Sequence, residues 1–372
     1  MPPPVILLLH NRYRVPGGEE RAVEDLAWLI REHLGEDVEV LQRDSAALSQ
    51  RRAAAGLLRG GLAPEEVGEA VRRTGARVVH AHNINPTLGW RALAAAREAG
   101  ARVVLHLHNY RLVCAVGTCF TRGEDCTRCH GRNTLPGVAL NCRGGSLAES
   151  AAYAASLSLW QRELAAQVDR FLVPSAFALR RLRELGAPVD DRARVLWSVQ
   201  RSFAGGSRAA AGRHVLYAGR LSHEKGVADA VVACRAAGLP LVVAGDGPAE
   251  AELRALAAGA DVRFTGRVGR DRLAELRRDA AVAVVPSRYA EILPLAALEA
   301  MAAGLPVVAA RSGGLAELVP AEGLFPPGDA DALAARAQRL WGDAAAGERA
   351  LAVVRERTAP PVVARALADA YG

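Results

Sequence analysis

An alternation restricts this chain more than any other feature. Short β-branched runs, VILLL (5–9), VEVL (38–41), VVHAH (78–82), RVVLHLH (102–108), FLVPS (171–175) and RVLW (194–197), are separated by Ala/Leu/Arg segments of helical period. After a break the pattern resumes with HVLYAG (214–219), LVVAG (241–245), VRFTG (262–266), VAVVPS (282–287) and PVVAA (306–310). Strands separated by helical stretches of about 10–15 residues imply βαβ units and parallel sheets. Two such series imply two doubly wound α/β domains. A small, Gly-rich stretch, SVQRSFAGGSRAAAG (198–212), separates the series and has the composition of a linker. The expected organisation is a first domain over 1–200, with an irregular insertion at 111–144, and a second over 201–350. A terminal helix over 351–372 is expected to pack back on the first domain.

No stretch reaches the roughly 18 consecutive apolar residues of a membrane span. The opening MPPPVILLLH lacks a basic n-region and reads as a first strand, so a cytoplasmic protein is expected. A net charge of +7 and a pI near 9.4 admit nucleic acid, anionic lipid or phosphate-bearing ligands. The arginines are scattered among acids, as in RRLRELGAPVDDRAR, with no basic block or aromatic-interleaved stripe. No nucleic-acid partner is therefore expected. Peripheral contact with an anionic membrane face is compatible with the charge and with the Ala-rich stretch 146–168, expected to be amphipathic, and flotation with anionic vesicles reads it.

Two acids and one cation stand out. From Ile292 to Ala310 the single polar side chain is Glu299, on a helix apolar all round and therefore buried. A buried carboxylate needs hydrogen-bond donors. Pro294 suits the first helical turn, which places Glu291 just ahead of it, beside free amides and the positive dipole end. On chemistry alone, a dipole-stabilising acid and a bonded core acid describe Glu291 and Glu299 as well as a binding site does. Lys225, in LSHEKGVADA, is the only lysine; every other basic position among the 47 Lys and Arg residues is arginine. Either it survives by chance or its position needs a compact ammonium.

At this point the chain becomes familiar. Glu291 and Glu299 form a Glu-x7-Glu pair followed by AMAAGLPVVA, which resembles the signature of the retaining GT-B glycosyltransferases of family 4. HNRYRVPGGEERAVEDLAWL, VVHAHN, HLHNYRLVC, YAGRLSHEKGV, VAGDGPAEAELRAL, VRFTGRV, GGLAELV and GLFPPGDADALA resemble further family blocks in family order. The resemblance implies two Rossmann-like domains facing across a cleft and transfer of a sugar from a nucleotide-diphosphate donor without an organic cofactor. It implies that Arg220 and Lys225 pair with the donor diphosphate and that Glu291 addresses the donor sugar. The amides near Leu293, Pro294 and Leu295 help hold sugar and phosphate, and Glu299 accepts from the ribose. Gly17 and Gly18 let backbone approach the ligand, and His108 contacts the transferred sugar. The acceptor stays open between a polysaccharide or lipid-linked glycan and a small natural product. The usual Gly of the Glu-x7-Glu motif is Pro294 here, which removes an N–H from that subsite.

His106 and His108 alternate along one run, and His80 and His82 repeat the arrangement. Two such side chains share a strand face and could ligate a metal, but no partner acid stands at ligand spacing. Ordinary core histidines are the simpler expectation.

Five of six cysteines fall in CAVGTCFTRGEDCTRCHGRNTLPGVALNC (114–142). A Cys-x2-Cys step with flanking cysteines has the composition of a structural zinc knot, with free thiols and disulfides as the alternatives. A subgroup of the family carries a similar loop after HNYRLVC. Its pattern matches Cys114, Cys126, Cys129 and Cys142, leaving Cys119 and His130 as extras.

Competing functions share the fold. A nucleotide-sugar epimerase or a non-catalytic nucleotide-sugar binder would use the same donor site. A phosphorylase would need a pyridoxal lysine, and the only lysine is already assigned to phosphate. A nicotinamide enzyme is disfavoured, because GDGPAE (245–250) has two of the three glycines of the dinucleotide fingerprint.

Overall fold

Two six-stranded sheets, each wholly parallel, organise the computed structural model, which describes residues 5–13, 17–143 and 146–372. The first residues of MPPPVILLLH, VPGGEE and GGSLAES thus lie partly outside the described residues. One compact unit holds the described residues up to Thr121, Cys126–Val199 and Pro360–Gly372. The other holds Arg122–Asp125 and Gln200–Ala359.

In the first unit the strands are β1 (Val5–Arg12), β2 (Asp37–Asp44), β3 (Val78–Ala81), β4 (Arg102–His106), β5 (Arg170–Val173) and β6 (Ala193–Val195). Their order is β2-β1-β3-β4-β5-β6, with Leu8 opposite His80 and His80 opposite Val104. Ile6, Leu7, Leu8 and Leu9 are all fully buried, so both faces of β1 are covered by other chain segments. That is why this strand reads as an unbroken apolar run rather than an alternation. One face packs against the helices Gly18–Leu29 and Pro360–Tyr371, whose Val363, Leu367 and Tyr371 join the core with Ile6, Leu8, Val78 and Val104.

The second unit repeats the plan with β7 (Val215–Ala218), β8 (Leu241–Ala244), β9 (Val262–Gly266), β10 (Val282–Val285), β11 (Val307–Ala310) and β12 (Leu324–Phe325), ordered β9-β8-β7-β10-β11-β12. The two-residue β12 is absent from the sequence-based reading. Its Leu-Phe pair inside GLFPPG is too short to show a period, and only pairing with β11 makes it a strand.

Three expectations change. The segment after Val199 is laid along the second unit rather than loose: Gln200 N–H donates to Thr358 O, and Ala204 exchanges bonds with Ala302 and Arg355. Its small residues serve close packing; a Cβ on Gly212 would fall 2.2 Å from Ala281 N. At the chain's end two helices stand where one was expected: Ala344–Thr358 lies in the second unit and Pro360–Tyr371 in the first.

The stretch 146–168 forms the helix Leu147–Ala166, but it is not amphipathic in the ordinary sense. Its buried face carries Ser150, Ser156 and Gln161, while Leu147 and Leu159 are exposed. The buried polar groups clamp the irregular insertion. Gln161 Nε2 donates to Leu112 O at 2.7 Å and Gly131 O at 3.0 Å, and Ser150 Oγ donates to Asn141 Oδ1 at 2.9 Å. A loop with little sheet of its own needs such donors to satisfy its carbonyls. No helix among the described residues is long and apolar enough to cross a membrane.

Candidate active site

At the carboxyl end of the second sheet, β7 runs into a tight turn, His223–Lys225, and then the helix Val227–Ala237. The hinge is Gly226, with φ +65°, where a Cβ would lie 2.0 Å from Pro286 O. Only glycine allows both that conformation and that approach. The approach seats the Lys225 turn on the loop after β10. Lys225 Nζ lies 3.0 Å from a Glu291 carboxylate oxygen and donates to Tyr289 Oη at 3.1 Å. Glu291 is 4% exposed and also accepts from Ser287 Oγ.

The two loops are tied twice more. Arg288 N–H donates to Glu224 O at 2.9 Å, and its guanidinium pairs with the buried Asp229, Nε to Oδ2 at 2.9 Å. On the far side Gly314 N–H donates to Glu291 O at 2.7 Å, so backbone and side chain of Glu291 are both fixed.

Electrostatics follow from this closeness. Burial pulls the Lys225 ammonium down, but the Glu291 carboxylate, with the Tyr289 and Tyr217 hydroxyls, outweighs it and holds the group above its usual range. Burial and the same carboxylate push the Tyr289 phenol up to about 12. The site therefore presents a firmly charged cation and a neutral hydroxyl.

The other expected residues fall around this pair. Arg220 is exposed just beyond β7, its carbonyl capped by Tyr217 Oη at 2.8 Å, and its side chain has no ion pair among the described residues. Pro294 caps the helix Leu295–Ala302 rather than entering its first turn. Leu293 and Leu295 flank it, half-buried. Glu299 lies inside that helix and pairs with Arg277, both nearly buried. The donors that a buried acid requires thus come from the protein. The sequence offered no route to Arg277, because its helix, Arg270–Arg278, reads as one of many Arg-rich solvent faces.

The first unit brings its own polar group together. Gly17 caps the helix Gly18–Leu29, its N–H donating to Glu20 Oε2 at 2.7 Å, while Tyr13 N–H donates to Glu20 Oε1 at 3.0 Å. Burial raises the Glu20 carboxyl, yet contact with His10 and these amides overcomes it and holds the group down at about 2. A Cβ at Gly17 would meet nothing nearer than 4.0 Å, so packing does not demand glycine there. Beside it, Glu19 accepts from Tyr13 Oη at 2.9 Å and Asn109 Nδ2 at 2.8 Å, and Arg111 Nη1 donates to Tyr13 Oη at 2.8 Å. Tyr13, Glu19, Asn109 and Arg111 are additions that the sequence reading missed. The available signal was the pair of strand-end stretches HNRYR and HNYR.

His108 is half-buried two residues beyond β4, with Nε2 2.8 Å from His82 Nδ1. His80, His82 and His106 are buried beside it, and burial holds all three imidazoles neutral, His80 at about 3.

In the insertion, Cys114, Cys119, Cys126, Cys129 and Cys142 line one cavity. All six cysteines are thiols. A hydrogen bond from Cys119 draws the Cys114 thiol down to about 6, whereas burial pushes Cys129 up to about 11.

Comparison with known proteins agrees with this fold. Residues 17–196 match the glycosyl transferase 4-like domain, and residues 212–343 match glycosyl transferases group 1. Sulfoquinovosyl transferase SQD2 of Arabidopsis thaliana is 39% identical over 120 residues, covering 31% of this chain and 23% of its own length. The chain thus spans about a quarter of that relative. Among solved structures, sucrose-phosphate synthase from Thermosynechococcus elongatus superposes with a TM-score of 0.70 at 20% identity, covering 99% and 98% of the two chains. HepE of Anabaena, solved with UDP-glucose, superposes at 0.64 and 17% identity over 98% of each. With both domain models matched and the two parallel sheets in place, the chain belongs to the glycosyltransferase family of GT-B fold.

Proposed function

We propose that the protein is a retaining glycosyltransferase that moves a sugar from a nucleotide-diphosphate donor to a glycan, lipid-linked or small-molecule acceptor. The observation that carries this reading is the Lys225 ammonium held 3.0 Å from the buried Glu291 at the carboxyl end of a parallel sheet, where doubly wound domains bind ligands. A donor diphosphate would compete with Glu291 for Lys225 and would draw in the exposed Arg220. Glu291, freed from the cation yet fixed by Gly314, would then face the sugar hydroxyls. As the anomeric bond breaks, charge grows on the leaving phosphate, and cations already in place favour that state. Leu293 and Leu295 precede and open a helix whose first amides lack intrahelical partners, so their N–H groups suit sugar and phosphate oxygens, while Pro294 shapes the turn without donating. Glu299 would share its carboxylate between Arg277 and the ribose. Retention rests on the family resemblance, and on the same ground Gly17 and Gly18 are assigned to donor binding, where backbone approaches the phosphate or acceptor, and His108 to contact with the transferred sugar.

Thermal unfolding with UDP, GDP and ADP tests the donor site. One nucleotide at 100 times its dissociation constant should add about 2.7 kcal/mol, and the gain should shrink in Lys225→Arg, since a planar fork cannot occupy the ammonium's place between Glu291 and Tyr289. A folded protein that responds to none of them would sink the reading. Binding without sugar transfer would identify a non-catalytic binder, and donor conversion without an acceptor an epimerase.

We assign the cysteine cavity to a structural zinc held by Cys114, Cys126, Cys129 and Cys142. The support for this reading is that the four cysteines line one cavity, where Cys114 is drawn toward its ionised form while burial keeps Cys129 a thiol until a cation arrives. The ion would staple an insertion that has little sheet of its own. Cobalt substitution should give a thiolate charge-transfer band that Cys126→Ser abolishes; a band unchanged in that variant would refute the assignment.

A further inference from the structure

Outside the donor site, three histidines of the first unit, His80, His82 and His106, form a group to which the proposed sugar transfer assigns no role. His80 belongs to β3 and His106 ends the neighbouring β4, with His82 just past β3. One ring nitrogen from each of the three lies within 4.8 Å of the others. The rings are stacked, His80 on His82 at 4.6 Å and His80 on His106 at 5.5 Å between centroids.

We propose that His80, His82 and His106 are the protein ligands of a divalent transition-metal ion of the zinc class. Three observations support it. First, the nitrogens are buried and unsatisfied: His80 Nε2, His82 Nε2 and both nitrogens of His106 have no hydrogen-bond partner. Leaving such buried groups unsatisfied is costly, and one ion accepting three lone pairs would remove most of the deficit. Second, the opposite nitrogens are already fixed. His80 Nδ1 is bonded to Tyr371 Oη and His82 Nδ1 to His108 Nε2, each at 2.8 Å. Metal-ligating histidines carry such a partner on the second nitrogen, which sets tautomer and ring orientation. Third, the group has an entrance, a cavity lined by Glu19, His82, Asn83, His106, His108 and Asn109. It gives an ion a way in and leaves room for water as a fourth ligand.

Tetrahedral zinc with bonds of about 2.0–2.1 Å sets ligand nitrogens about 3.4 Å apart. Ligation therefore requires the stacked rings to turn toward one another, a side-chain adjustment on two strands whose backbones are already paired. An all-imidazole set suits zinc, cobalt, nickel or copper rather than magnesium or calcium.

The test is cobalt titration of the metal-stripped full chain, with metal content and the visible spectrum recorded together. Nitrogen-bound cobalt gives visible ligand-field bands without a thiolate charge-transfer band, which separates this site from the cysteine cavity. The wild type should take up one cobalt that shows no thiolate signature. His106→Thr should lose that ion, with affinity at least 100-fold weaker, while any thiolate band stays. Tyr371→Phe, which removes only the hydroxyl on His80, should weaken the ion about 10-fold. A folded wild-type chain with no thiolate-free cobalt would overturn the proposal, and so would uptake unchanged in His106→Thr. Neither result bears on nucleotide binding in the other unit.

Discussion

Lys225→Ala is expected to reduce sugar transfer by about 10²–10³-fold, the usual consequence of removing one fixed charge from a developing oxyanion. Stability should fall as well. Breaking a fully buried ion pair costs about 3–5 kcal/mol, because the partner is left charged and unpaired. The Lys225 side chain is a quarter exposed, against 6% for Glu291, so water offsets part of that loss and about 1–3 kcal/mol is the appropriate range. Combining it with Glu291→Gln separates the two effects. The double variant should regain much of the stability lost by Lys225→Ala, since no buried charge is stranded, but none of the activity. A Lys225→Ala enzyme with wild-type turnover would remove the lysine from the reaction.

Gly226→Ala should be among the most damaging changes of a single methyl group in the second unit. A residue other than glycine at φ +65° is strained by about 1–3 kcal/mol, and a Cβ placed 2.0 Å from Pro286 O forces the two site loops apart. Overpacking of that kind adds about 1–3 kcal/mol. Gly238 supplies the control: its φ is +64°, but a Cβ there meets nothing within 4 Å. Gly238→Ala should therefore show the conformational cost alone and keep activity. Gly226→Ala should lose both stability and nucleotide affinity, because Lys225 and Glu291 no longer meet. Chemical denaturation and nucleotide titration of the two variants check this. Equal behaviour would show that the approach of the loops is not what the glycine serves.

Legibility differed between the fold and the site. Eleven of the twelve strands in the two six-stranded sheets could be read as β-branched runs between helical segments, because in the inner strands burial on both faces writes itself into composition residue by residue. The dimension of a two-residue strand such as Leu324–Phe325 is below what any period can reveal. That Glu291, Glu299 and Lys225 are out of keeping with their surroundings was also visible, through acids at and in an apolar helix and a lone lysine among arginines. Their partners were not. Ser287 and Tyr289 lie close to Glu291 in sequence yet carry no sign of their bonds, and Arg277 is one arginine among many.

What this sequence determined by itself is the class of the chain: two parallel α/β units, and a small set of residues whose chemistry is out of keeping with their surroundings. These are local properties, legible wherever a residue's own neighbours in the chain betray its environment. Tertiary structure decided which groups meet. Two His-x-His stretches some 26 positions apart looked like ordinary core histidines until adjacent strands stacked them. Tyr371, almost at the chain's end, became a partner of His80 across 291 positions only through the packing of the last helix. Long-range convergence leaves no local periodicity, because it depends on strand order and on the path of the intervening chain.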